Sequence, residues 1–172
     1  SIDLRFGEFS LSGQLSGIAA TGLFDYKMSK VKGHHLLETW IKHLVLNCIK
    51  PKDCEYESLL ITEDKHYHFK PVEDAQTLLT QLIELYWQGL ERAIPFFSNT
   101  SFAIAKATLN NGTANPETAM NTAWQGSLFQ AGEKDDLYHQ QLYVTSPFGD
   151  EFEKLALSVY EPVKAHLLSD KL

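Results

Sequence analysis

Several features that would settle the class of this chain at once are scarce or missing. Its two cysteines, Cys48 and Cys54, are too few for a disulfide framework and stand in no zinc-binding spacing. They read as free thiols, which places the chain in the cytoplasm. On that reading the Asn-x-Ser/Thr sequons at Asn99 and Asn111 are chance. No apolar run approaches the ~18 residues of a membrane span, and no signal-peptide pattern opens the sequence, so a membrane is not an expected partner. No Pro/Gly/Ser-rich linker, internal repeat or low-complexity segment divides the chain. A phosphate-binding P-loop is missing, as is any Ser/His/Asp or Cys/His arrangement in a recognisable context. A basic excess is missing too: the net charge is −7. Residues 1–70 balance nine Lys/Arg against nine Asp/Glu, while residues 71–172 hold six against thirteen. A chain-wide basic footprint for nucleic acid is therefore excluded, and any contact with DNA must be local or shared with a partner.

What is present is a mixed pattern. "IDLRF", "FSLSGQLSGI" and "GLFDYKMS" read as three antiparallel strands, with Gly22 at the turn between the last two. In the third, Phe24, Tyr26 and Met28 share one face, and Asp25 and Lys27 the other. After Gly33 the spacing of Leu36, Leu37, Trp40, Ile41, Leu44, Val45 and Cys48 predicts a helix with one apolar stripe. "LLITEDKHYHF" reads as a strand or as a hairpin turning at Glu63-Asp64. A second helix is expected from about Glu73 to Arg92, with Leu78, Leu79, Leu82, Ile83, Tyr86 and Leu90 inward. The rest is helical: "NPETAMNTAWQG" has Asn115 as N-cap, Pro116 in the first turn and Gly126 as the stop. Pro162 either kinks the last helix or starts a second one. The expected fold class is α+β (mixed α/β). It forms a single domain over 1–172, with the sheet and first helices in 1–93 and a helical extension in 94–172. Because the chain opens on Ser1 rather than Met, we read it as a piece cut from a longer protein.

The strongest chemical signal is Asp25-Tyr26-Lys27. An acid and a lysine at i and i+2 on a strand point to the same side. In metal-dependent nucleases of the restriction-endonuclease-like superfamily, such a pair joins an Asp from the preceding strand to hold Mg²⁺ beside the scissile phosphate. Here the residue in that preceding position is Ser16, a neutral hydroxyl. Glu8 is the candidate for a relocated carboxylate. Without one, Asp25 and Lys27 pair on a solvated sheet face. Lys27, Lys30 and Lys32 form a small basic cluster where the hairpin ends, suited to phosphate contact or to a solvated strand end. His66-x-His68 lacks a third metal ligand nearby in sequence. His34 and His35 open the first helix and read as surface hydrogen-bonding residues. In the acidic segment 132–138, Asp135 or Asp136 is placed to cap a short helix. We expect no catalytic residue and no metal site of the chain's own.

An ordered series of segments carries a family resemblance: "LSGQLSGIAATGLFDYKMSKVKG", "LLETWIKHLVLN", "LLTQLIELYWQGLERAIPFF", "AWQG", "GEKDDLYHQQL" and "FEKLALSVYEPVKAHL". Together they make the chain resemble the C-terminal domain of the gamma subunit of exodeoxyribonuclease V, the RecC family. That resemblance implies a restriction-endonuclease-like core, degenerate in its catalytic site, with additional C-terminal helices. It also implies a subunit that is neither motor nor nuclease in a complex processing double-strand DNA ends for recombination. The expected partners are RecB-like and RecD-like motor subunits, duplex DNA ends and single strands. ATP and Mg²⁺ act at the partner subunits, with no cofactor in this domain. Carried over by residue, the vestigial nuclease positions are Ser16, Asp25 and Lys27, and Glu38 stands where active relatives often bear a Gln. Two other readings remain open: an active Mg²⁺-dependent nuclease with a relocated carboxylate, and a purely protein-binding module.

Overall fold

A computed structural model of the chain describes residues 1–110, 114–127 and 130–168. The Asn111 sequon lies outside them. The described residues form two compact units. The first comprises Ser1–Val31, His35–Trp87 and 166–168, and the second Lys32–His34 and Gln88–Ala165.

In the first unit, β1 (Ile2–Phe6) and β2 (Phe9–Gly13) make an antiparallel hairpin that is a two-stranded sheet of its own. The single long strand expected from "FSLSGQLSGI" is broken, because pairing stops at Gly13 and resumes only at β3 (Ile18–Ala19). Gly17 explains the break. Its φ of +80° belongs to the left-handed region, and a Cβ there would lie 2.5 Å from the Phe24 carbonyl oxygen. β3 pairs antiparallel with β4 (Gly22–Tyr26). Helix α1 (Gly33–Ile49) then crosses over to β5 (Ser58–Ile61), which runs parallel to β4. β6 (His66–Phe69) returns antiparallel, giving the order β3-β4-β5-β6. "LLITEDKHYHF" is thus the hairpin of the two alternatives. Its turn is held by the Thr62 amide on the Lys65 carbonyl at 2.9 Å and the Lys65 amide on the Thr62 hydroxyl at 3.1 Å. The edge of β6 is covered by residues 166–168, through a bridge from Phe69 to Leu167 and an amide bond from Leu168 to the His68 carbonyl.

One face of this sheet packs on α1. Leu23, Leu60, Tyr67 and Phe69 are buried there with Leu36, Trp40 and Leu44 of the helix. The Trp40 ring lies 5.7 Å from Phe69 and 5.5 Å from His166. The other face is open, and this reverses the expectation for β4. Phe24, Tyr26 and Met28 are 42 %, 72 % and 95 % exposed, whereas the side chains of Asp25 and Lys27 are only 14 % and 23 % exposed. The period of two was right about which residues share a face but silent about which face the helix covers. Helix α2 (Ala75–Glu91) carries a similar correction. Ala75 and Leu79 are buried, but Tyr86 and Leu90, expected to face inward, are exposed. Apolar periodicity defines a stripe, not how far along it the packing layer extends.

The second unit is helical: α3 (Ser98–Leu109), α4 (Pro116–Gln125), a short ladder of β7 (Gly126–Ser127) and β8 (Gln130–Ala131), a 3₁₀ turn (Glu133–Asp135), α5 (Leu137–Leu142) and α6 (Asp150–Ala165). Asn115 caps α4 as expected, accepting from the Thr118 amide at 3.0 Å. α6 continues as one helix through Pro162 instead of restarting there. Phe97, Ile104, Met120, Trp124, Phe152 and Ala156 form the core. The acidic segment works as caps. Asp136 accepts from the Tyr138 amide at 2.9 Å, while Glu133 reaches back to the start of α3 and accepts from the Asn99 and Thr100 amides at 3.0 and 2.7 Å. No helix among the described residues is long and apolar enough to cross a membrane.

Candidate functional site

The alternation of β4 sends Asp25 and Lys27 to the inner face, where the second turn of α1 passes over them. Glu38 and Lys42 are one helical turn apart, so their side chains meet on that helix's surface. Lys42 Nζ lies 2.7 Å from Glu38 Oε1 and 2.9 Å from Asp25 Oδ2. Lys27 Nζ lies 2.9 Å from Glu38 Oε2 and 3.9 Å from Asp25 Oδ1. The Thr39 hydroxyl is 3.1 Å from Asp25 Oδ2, and the Tyr26 amide donates to Asp25 Oδ1 at 3.0 Å. Two carboxylates and two ammonium groups therefore close on one another with no net charge. Hydrogen bonds from Lys42 and then Lys27 hold the Glu38 carboxyl down to about 2. For Lys42, burial opposes the charged form, but its bonds to Glu38 and Asp25 outweigh that and raise its pKa above the ordinary lysine value.

The other singled-out residues fall around this network. The β3–β4 register pairs Ile18 with Leu23, and the Phe24 amide donates to the Gly17 carbonyl at 2.8 Å. Ser16 is exposed and lies before β3, two residues short of its first paired position. Glu8, the candidate for a relocated carboxylate, does not lie on the strand paired with β4. It sits in the exposed turn of the separate β1–β2 hairpin, because the break at Gly17 detaches that hairpin from the sheet. The carboxylate that does share partners with Asp25 is Glu38. Lys30 and Lys32 are exposed, whereas the Lys27 ammonium is drawn into the network. His68 Nε2 lies 2.6 Å from Glu57 Oε2. No group of three or more His, Cys, Asp and Glu among the described residues could hold a metal ion.

A second polar group lies deeper under α1 and carried no signal in the sequence. His43 is fully buried, with Nδ1 2.7 Å from the Ser58 hydroxyl and Nε2 3.1 Å from the Lys70 carbonyl. Asn47 Oδ1 accepts from the Val72 amide at 2.9 Å, and its Nδ2 donates to the Tyr56 carbonyl at 3.1 Å. These bonds fasten the helix to both ends of the β5–β6 hairpin. Burial pushes His43 down to about 4, so it is neutral, donating to Lys70 and accepting from Ser58. Thr39 and Lys42 were also missed. The Glu38–Lys42 spacing was their one available clue.

Chemically, a Mg²⁺ ion asks for several oxygen ligands with uncompensated negative charge. Here both carboxylates are already bonded to ammonium groups and the third position is a serine, so the donor set does not fit the ion.

The model of the RecC C-terminal domain matches residues 1–109. The chain belongs to the RecC C-terminal domain family. Over 154 residues it is 26 % identical to RecBCD enzyme subunit RecC of Escherichia coli (strain K12), covering 83 % of this chain and 14 % of that protein. It is 29 % identical over 147 residues to the protein of that name in Buchnera aphidicola subsp. Baizongia pistaciae, covering 78 % and 13 %. With RecC of Buchnera aphidicola subsp. Schizaphis graminum the identity is 24 % over 153 residues, covering 83 % and 14 %. The chain thus spans about 14 % of the length of the curated relatives it matches.

Proposed function

We propose that this chain is a non-catalytic DNA-end-processing and scaffold domain of a RecBCD-type helicase–nuclease, acting in double-strand-break repair by recombination. It holds and helps split duplex DNA and contacts RecB-like and RecD-like motor subunits. ATP hydrolysis and Mg²⁺-dependent cleavage belong to those partners. The observation that carries the non-catalytic reading is the 2.9 Å bond between Lys42 and Asp25. The acid a nuclease would spend on a metal is spent on a side chain of the same domain.

The topology supports a degenerate restriction-endonuclease-like core. A hairpin leads into the strand bearing acid-x-Lys, a helix crosses over, and the next strand runs parallel to it. The acid-x-Lys faces that helix, and Ser16 precedes the strand paired with β4. In the scaffold half of the reading, the open sheet face with Phe24, Tyr26 and Ile61, and the exposed Tyr86 and Leu90 of α2, offer apolar surface to partner subunits. Exposed Lys30 and Lys32 remain the candidates for phosphate contact.

The test incubates the 172-residue chain with linear duplex DNA in Mg²⁺ and in Mn²⁺, and separately with the motor subunits. The reading expects no cleavage and retention by the motor subunits. Cleavage that disappears in Asp25→Ala would establish the active-nuclease reading instead. Retention by the subunits with no effect on DNA-end handling would leave only the protein-binding module.

A further inference from the structure

The poor fit of the Asp25 site to a divalent cation traces to one side chain. Among the described residues, Lys42 is the only group that touches both carboxylates within 3 Å, at 2.9 Å from Asp25 and 2.7 Å from Glu38. We propose that Lys42 is the internal counter-ion of this site: its ammonium bridges Asp25 and Glu38 where a divalent cation would have to bind, and keeps Mg²⁺ and Mn²⁺ out. The inference rests on the non-catalytic reading above and gives its physical cause.

Three observations carry it. The ammonium is a compact point charge with three donors, able to satisfy oxygens from two carboxylates at once. It is tethered one helical turn from Glu38, so it competes with ions in solution as an intramolecular partner at high effective concentration. Finally, the remaining Glu38 oxygen is bonded to Lys27 and the remaining Asp25 oxygen to the Tyr26 amide. Three of the four carboxylate oxygens are thus bonded to an ammonium within 3 Å, so an incoming ion cannot bridge Asp25 and Glu38 without displacing one. Without the Lys42 charge, two carboxylates would face each other with only Lys27 between them and a net charge of −1. The lock also ties β4 to α1 in a manner independent of Mg²⁺ concentration.

The experiment titrates Mn²⁺ into the 172-residue chain and follows the free ion by electron paramagnetic resonance. For the unaltered chain the expectation is no saturable binding that Asp25→Asn removes, and no change in Tm with added Mg²⁺. Lys42→Met is expected to gain one Mn²⁺ with Kd on the order of 10⁻³ M, typical of a site with few carboxylates. Its Tm should rise with Mg²⁺, and both gains should vanish in Lys42→Met/Asp25→Asn. Mn²⁺ bound at Asp25 in the unaltered chain overturns the proposal, as does a folded Lys42→Met that binds none. Should Lys42→Met not fold, ¹⁵N spectra of the lysine ammonium groups decide in the unaltered chain. A Lys42 signal untouched by micromolar Mn²⁺ supports the lock, and one that broadens overturns it. The two readings fail separately: DNA cleavage by the unaltered chain defeats the non-catalytic reading. A folded Lys42→Met that binds no metal, from a chain that cuts nothing, defeats only the counter-ion.

Discussion

The two faces of the β3–β6 sheet differ in a way that inverts the usual order of a one-sided sheet. The covered face carries Asp25, Lys27, Ser58 and Tyr67 among its apolar residues, and the uncovered face carries Phe24, Tyr26 and Ile61. The covered face tolerates its charges because α1 supplies a partner for each, Lys42 for Asp25 and Glu38 for Lys27, and His43 takes the Ser58 hydroxyl. The buried Tyr67 hydroxyl has no hydrogen-bond partner among the described residues. The open face leaves apolar side chains in water, which a domain acting alone gains nothing from and a domain seated against partners can use. On the proposed reading, stability and partner contact map to opposite sides of one sheet.

Breaking the covered face should cost most. Trp40 is buried against Phe69, His43 and His166, so Trp40→Ala should lose about 4 kcal/mol of unfolding free energy, measured by urea denaturation. Acid comes next. His43 is held at about 4, below its usual 6.5. The folded chain therefore refuses a proton that the unfolded chain accepts. Its contribution is fully present above pH 6.5 and is lost as pH falls from 6.5 to 4, by about 3 kcal/mol. His43→Gln should flatten that segment of the stability profile. Glu38 acts in a lower window: its carboxyl is held near 2, so its stabilisation is present above the usual 4.5 and lost as pH falls towards 2. Because that side chain is 47 % exposed, solvent screening keeps its share well below that of His43.

Smaller effects sharpen the contrast. Lys42→Met strips Asp25 of its 2.9 Å partner and should cost about 1–2 kcal/mol in urea, in the range for a charged hydrogen bond at a partly exposed site. On the open face, Tyr26→Ser should change stability by no more than about 0.5 kcal/mol. It should instead reduce retention by the motor subunits in a pull-down. A large stability loss from Tyr26→Ser, with retention unchanged, would erase the distinction between the faces.

Much of this was legible in local pattern. The β5–β6 turn, the Asn115 cap and the Gly126 stop follow from residues a few positions apart, and the structure has them where spacing puts them. What spacing could not supply was the identity of the layer above each face. Asp25 and Lys27 share a side by alternation, yet alternation did not say that α1 covers that side and brings Lys42, seventeen residues away, to Asp25. His43 carried no signal in the sequence, since only the crossover that lays α1 on β5 brings Ser58 and the Lys70 carbonyl to its two nitrogens. The break at Gly17 was likewise hidden, since alternating residues continue through it. That break moved Glu8 out of contention and left Glu38 as the second carboxylate.

What stands between those two carboxylates is tested most directly by crystals of the chain soaked in Mn²⁺ and measured at a wavelength giving an anomalous signal. The predicted result is the Lys42 ammonium between Asp25 and Glu38 with no anomalous peak beside them. A peak coordinated by Asp25 together with Glu38 or Ser16, with Lys42 swung away, would contradict it.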